Sequence, residues 1–166
     1  FRKAWQKIVD QKLSAGLIFE DDVSLDLETF NESLTSALKW INKYGYIQFQ
    51  VREIPKKSKI VVSNDSIQLL QPSPTLLRCS AQLVSFYTAK KLLDITNKFD
   101  RPVDTLIQSN WHTGINITSI KPSGVKDNTY ASGGSNLSLH MPLAKRLKQE
   151  YKRVKYRYSI KKYDKL

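Results

Sequence analysis

The chain has 166 residues, a net charge of +12, and hydrophobic and aromatic shares of 40% and 10%. That is enough apolar material for one domain with a real core, and it excludes wholesale disorder. The lone Cys79 excludes an internal disulfide and a cysteine-rich zinc site, and it suits a reducing compartment. No apolar run approaches the ~20 residues that cross a bilayer, and the start shows no signal-peptide pattern. Phe1 stands where an initiator Met would, so the stretch reads as trimmed from something longer.

In chain order, the spacing of Trp5, Ile8, Val9 and Leu13 predicts an amphipathic helix that Ser14-Ala15-Gly16 ends, Gly16 being a natural stop. Leu17-Ile18-Phe19 reads as a buried strand. Phe30, Leu34, Ala37, Leu38 and Ile41 mark a second helix closing near Tyr44-Gly45. Tyr46 to Val51 is rich in strand formers. Ile60-Val61-Val62 and Ile67 to Leu70 read as short strands around an Asn64-Asp65 turn, between exposed connections at 56–59 and 71–74. Gln82 to Ser85 reads as a strand leading into a helix that carries Ala89, Leu92, Leu93 and Thr96. Val103 to Leu106 follows Arg101-Pro102, and Ile115 to Ile120 is a strand ending at Pro122.

Residues 123–138 are polar and Gly/Ser-rich, the composition of a mobile loop. Within them, Ser132-Gly133-Gly134-Ser135-Asn136 suits a linker better than a phosphate cradle. Leu143, Leu147, Tyr151, Val154 and Tyr158 then trace one helical stripe. Helices and strands interleave, so the class is α/β. The predicted division is a domain over 1–140 and a basic amphipathic C-terminal helix over 141–166.

That last segment carries ten Lys and Arg against Glu150 and Asp164, a surplus of eight positive charges. An amphipathic helix resting on an anionic membrane surface has this character. The plainer alternative is a solvated terminal helix packing its stripe on the domain. A third reading sets the cations and Tyr151, Tyr156 and Tyr158 against single-stranded nucleic acid, although nucleic acid is not the expected partner.

Glu20-Asp21-Asp22 closes the strand at Phe19. Three adjacent carboxylates repel, and the cluster costs stability unless a cation or strong donors neutralise it. A strand projects i and i+2 to one side, so Glu20 and Asp22 are expected to point into one crevice at a strand's carboxyl end, where open α/β sheets hold ligands. A hard divalent ion taking one or two carboxylates and completing its shell with phosphate oxygens fits there. The alternative is a helix N-terminus or a solvated acidic turn.

Ala4-Trp5-Gln6-Lys7-Ile8-Val9 followed by Leu17-Ile18-Phe19-Glu20-Asp21-Asp22-Val23 resembles the "alWqkIv…pyalIlEDDv" stretch of glycosyltransferase family 25, the bacterial lipopolysaccharide and lipooligosaccharide glycosyltransferases. Ser85-Phe86-Tyr87-Thr88-Ala89-Lys90-Lys91-Leu92-Leu93 is similar to the family's "iSrkaAkkLL", and Arg101-Pro102-Val103-Asp104-Thr105 to its "PvD". The similarity runs from the first residues to about Pro122. The resemblance implies a GT-A-like, Rossmann-like mixed sheet flanked by helices. It also implies an inverting transferase that moves a sugar, typically galactose from UDP-galactose, to a lipid-linked glycan acceptor in the bacterial cytoplasm, at or near the inner membrane.

On that resemblance Glu20, Asp21 and Asp22 bind the nucleotide sugar, and Asp22 assisted by Glu20 holds a divalent cation, Mn or Mg. Asp104 is the implied base, with capping of the following helix and acceptor binding as its other readings. Trp111 and His112 are candidates for a sugar contact or a further ligand; His140 has no supporting context. Two departures stand out. The family's N-terminal strand and Gly-Cys-x-x-Ser-His element are absent, so an inactive truncated remnant is the alternative. Arg78-Cys79-Ser80-Ala81-Gln82 replaces a pattern that usually reads "GtaGY", where loss of Gly can forbid a close backbone approach.

Overall fold

The computed structural model describes residues 1–64, 66–97, 101–128 and 143–163. The chain runs α1 (Arg2–Asp10), β1 (Ala15–Phe19), β2 (Val23–Leu25), α2 (Leu27–Tyr44), β3 (Tyr46–Phe49), β4 (Lys59–Ser63) and β5 (Gln68–Gln71). It continues through β6 (Ala81–Ser85), α3 (Phe86–Ile95), α4 (Val103–Gln108), α5 (Asn110–Thr113), β7 (Thr118–Lys121), β8 (Val125–Asp127) and α6 (Leu143–Tyr163). Six strands form one sheet in the order β1-β6-β3-β7-β5-β4, and β2 pairs with β8 in a separate ribbon. The β3–β7 pair is parallel and the remaining neighbours are antiparallel. β1, β3 and β7 therefore end on one rim, and β6 begins there.

Period-two alternation sorts side chains to the two faces. Ile47, Phe49, Ala81, Leu83 and Ile120 pack with Phe30, Ala37 and Ile41 of α2. Tyr46 and Val84 face the other way, toward Trp5 and Ile8 of α1, Ala89 and Leu92 of α3, and Ile107 of α4. Helices thus cover both faces of a mixed sheet, the α/β architecture expected of a Rossmann-like, GT-A type fold.

Local chemistry sets the element ends. Asp26 accepts the Thr29 amide at 3.1 Å and starts α2, while Gly45 at φ 73° stops it. Ser85 plays the same part for α3, its hydroxyl accepting the Thr88 amide at 3.3 Å.

Three expectations need correction. Gly16 does not end α1, which finishes at Asp10 with Lys12 turning through φ 52°; it lies inside β1, where a Cβ would come within 2.5 Å of the Ile8 side chain. The glycine is there because helix and strand approach that closely. β1 is not a buried strand: it is the half-buried edge of the sheet, and Phe19 is 39% exposed. Residues 125–127 are not loop but β8, aligned with β2 through Val23 opposite Asp127. The Ser132–Asn136 segment and His140 lie outside the described residues.

α6 forms where the apolar stripe predicts a helix, but the three stripe residues whose side chains are described are not turned inward. Tyr151, Val154 and Tyr158 are exposed. The contact with the domain runs instead through Tyr156, whose hydroxyl donates to Gln108 Oε1 and the Thr105 carbonyl, and through Tyr163, whose ring lies 5.9 Å from Trp111.

Candidate active site at the sheet rim

The acidic triplet lies at the carboxyl end of β1, in the tight turn that leads to β2. Glu20 N–H donates to the Ser80 carbonyl at 2.9 Å and the Asp22 carbonyl accepts Asn128 N–H at 2.7 Å, so the turn is tied to the start of β6 and the end of β8. Glu20 and Asp22 are half-buried, whereas Asp21 points to solvent. A turn, not the strand periodicity, brings the first and third carboxylates together.

Their proximity shows in the electrostatics. Burial raises the Glu20 carboxyl above its ordinary value, the charges of Asp22 and Asp104 raise it further, and Arg78 and a Ser80 hydrogen bond oppose them. Asp104 comes from the first turn of α4, on an element distant in sequence, and still reaches Glu20 electrostatically. It is not the cap itself, a position that Pro102 holds; its Oδ1 accepts the Thr105 amide at 2.7 Å. A carboxylate in a helix's first turn is favoured by the helix dipole, which contributes to its placement there.

Arg78, unremarked as a functional residue in the sequence, supplies the cation. Its Nη2 lies 2.9 Å from Asp127 Oδ2, and its backbone adopts φ 96°, a conformation that favours glycine. The available signal was the family pattern: its first Gly falls at position 78. Buried glutamines hold the surrounding segment by its carbonyls. Gln108 donates to Thr75, Gln48 to Arg78, Gln82 to Cys79 at 3.2 Å and Gln50 to Leu77 at 3.4 Å. Tyr46 donates in turn to Gln82.

Cys79 lies beneath this wall, buried, its thiol pushed up to about 12 first by burial and then by the charges of Asp104 and Glu20. A thiol so placed is no nucleophile at neutral pH. Trp111 packs on His112 and on Tyr163 of α6, and His112 is exposed.

Among the described residues, no three His, Cys, Asp or Glu side chains converge as a complete metal cage. Glu20 and Asp22 instead offer the one or two carboxylates that suit an ion completing its shell with substrate phosphates. A shallow depression of about 370 Å³ between α2 and the β4–β5 turn, lined by Asn31, Thr35, Lys39 and Asn64 among others, involves neither the triplet, Arg78 nor Asp104. The charge convergence at the rim is the better guide to chemistry.

The family model for glycosyltransferase family 25 (LPS biosynthesis protein) matches residues 2–107, well over half of the chain. The chain belongs to this family. The matched span holds the acidic turn, the 75–79 segment and Asp104, while Asp127 and α6 lie beyond it. No curated protein matches the chain significantly. As a family 25 glycosyltransferase domain, it implies a nucleotide sugar and a glycan acceptor as partners. None of the described helices is long and apolar enough to cross a membrane.

Proposed function

We propose that the chain transfers galactose from a UDP-sugar to a lipopolysaccharide or lipooligosaccharide acceptor, with inversion, in the bacterial cytoplasm. The observation that carries this reading is the electrostatic meeting of Glu20, Asp22 and Asp104 at one rim, within the family match.

Glu20 and Asp22 would hold a divalent cation, Mn or Mg, with Asp21 beside them toward the nucleotide. When bound, such a cation offsets the charge that develops on the departing diphosphate. Arg78, already in this acidic neighbourhood, adds a fixed guanidinium suited to phosphate oxygens. An inverting displacement also needs a base on the acceptor hydroxyl. The Thr105 amide occupies Asp104 Oδ1, which leaves Oδ2 as the atom that takes the acceptor's proton.

Calorimetry of UDP binding tests the assignment. Binding should require a divalent ion and weaken at least about tenfold in Asp22→Ala, the scale of losing one metal contact. Tight, metal-independent binding that Asp22→Ala leaves unchanged would remove the triplet from the site.

A further inference from the structure

α6 carries two unlike faces. On one, Tyr156, Ser159 and Ile160 are half-buried and Tyr156 and Tyr163 contact α4 and α5. On the other, Tyr151, Val154 and Tyr158 are 70%, 61% and 65% exposed. At about 100° per residue these three fall in one stripe, roughly opposite Tyr156 and Tyr163. Exposed Lys155, Arg157 and Lys162 stand around the stripe. They belong to the segment from Lys145 to Lys165, whose surplus is eight positive charges in all.

We infer that this face of α6 docks on an anionic phospholipid bilayer. Tyr151, Val154 and Tyr158 enter the interface and Lys155, Arg157 and Lys162 meet lipid phosphates. Charge complementarity selects the occupant: basic residues flanking an apolar stripe match an anionic leaflet. Tyrosine is suited to the boundary, with an apolar ring and a polar tip. Val154, between the two rings, offers aliphatic surface for acyl chains and no plane on which a base would stack. Because the opposite face packs on α4 and α5, docking through the stripe would leave those contacts intact. The inference rests on α6 alone and needs neither donor nor metal.

Vesicle flotation of the whole chain, without nucleotide or metal, tests it. Vesicles of phosphatidylcholine are compared with vesicles containing about 30 mol% phosphatidylglycerol. The chain should float with the anionic vesicles and not with the zwitterionic ones. Lys155→Gln/Arg157→Gln/Lys162→Gln should weaken partition about a hundredfold, and Tyr151→Ser/Val154→Ser/Tyr158→Ser at least about tenfold. Far-ultraviolet circular dichroism should show that all these exposed substitutions leave the fold unchanged. Equal partition to both vesicle types, no flotation, or indifference to the apolar triple substitution would overturn the inference. So would single-stranded RNA bound through the same six residues by a chain that ignores the vesicles.

Discussion

Arg78 and Asp127 meet at 2.9 Å, and that ion pair joins the segment before β6 to the strand that pairs with β2. It links the two sides of the acidic turn. Because both side chains are partly exposed, the pair contributes no more than about 1 kcal/mol. Arg78→Ala should lose that amount at low salt and less at high salt. Arg78→Gly should recover up to about 1 kcal/mol relative to Ala, because φ 96° favours glycine. Urea midpoints decide between them; equal stability of the Ala and Gly variants would refute the backbone argument.

Asp104 should separate chemistry from binding. Asp104→Asn retains an oxygen for the Thr105 amide and loses the base. Under the proposed mechanism, kcat for sugar transfer should fall about 10²–10⁴-fold, with UDP affinity and melting temperature nearly unchanged. Steady-state kinetics beside calorimetry reads both, and an undiminished kcat would remove Asp104 from the reaction.

Gly124 marks a close approach of backbones. Its φ is 68°, an added Cβ would stand 2.4 Å from Phe30 N, and its carbonyl accepts the Asp26 amide at 2.8 Å. Gly124→Ala should cost about 2–4 kcal/mol, because neither backbone can yield cheaply. Gly114→Ala should cost only about 1–2 kcal/mol, since its added Cβ would meet the end of the flexible Lys91 at 3.0 Å. Chemical denaturation of both variants ranks them.

Asp26 gives a dependence on pH. Its carboxyl lies below the ordinary value because it accepts the Thr29 amide at the start of α2. A lowered folded value means stabilisation that is present above the ordinary aspartate range and is lost as pH falls through the folded value. Asp26→Asn keeps an acceptor and removes the charge. It should therefore melt below the parent at pH 7, and the gap should close as pH drops below the ordinary 3.8. A gap that stays constant in thermal melts across that range would mean the charge contributes nothing.

The longer elements were legible because their periodicity is local. Phe30, Ala37 and Ile41 recur at helical spacing and do line the core side of α2, and strand formers mark β3, β5 and β6. Gly16 misled because a glycine after a helix reads as a stop, while its real reason, the Ile8 side chain, is a tertiary contact. β2 and β8 are three residues each, too short for any period to register. At the site, the triplet announced itself by charge density. Arg78 did not, because its place depends on glutamines from β3, β6 and α4 and on Asp127, far along the chain. The stripe on α6 was visible, but its direction was not: periodicity reports that a helix has an apolar side, and only the contacts of Tyr156 and Tyr163 reveal which side docks.

The wall that carries Arg78 is fastened by side-chain amides of Gln48, Gln50, Gln82 and Gln108. Amides neither gain nor lose protons in the range where cells live. The amide bonds of this flank are consequently indifferent to acidity, unlike the Arg78–Asp127 ion pair beside them, which needs a charged carboxylate.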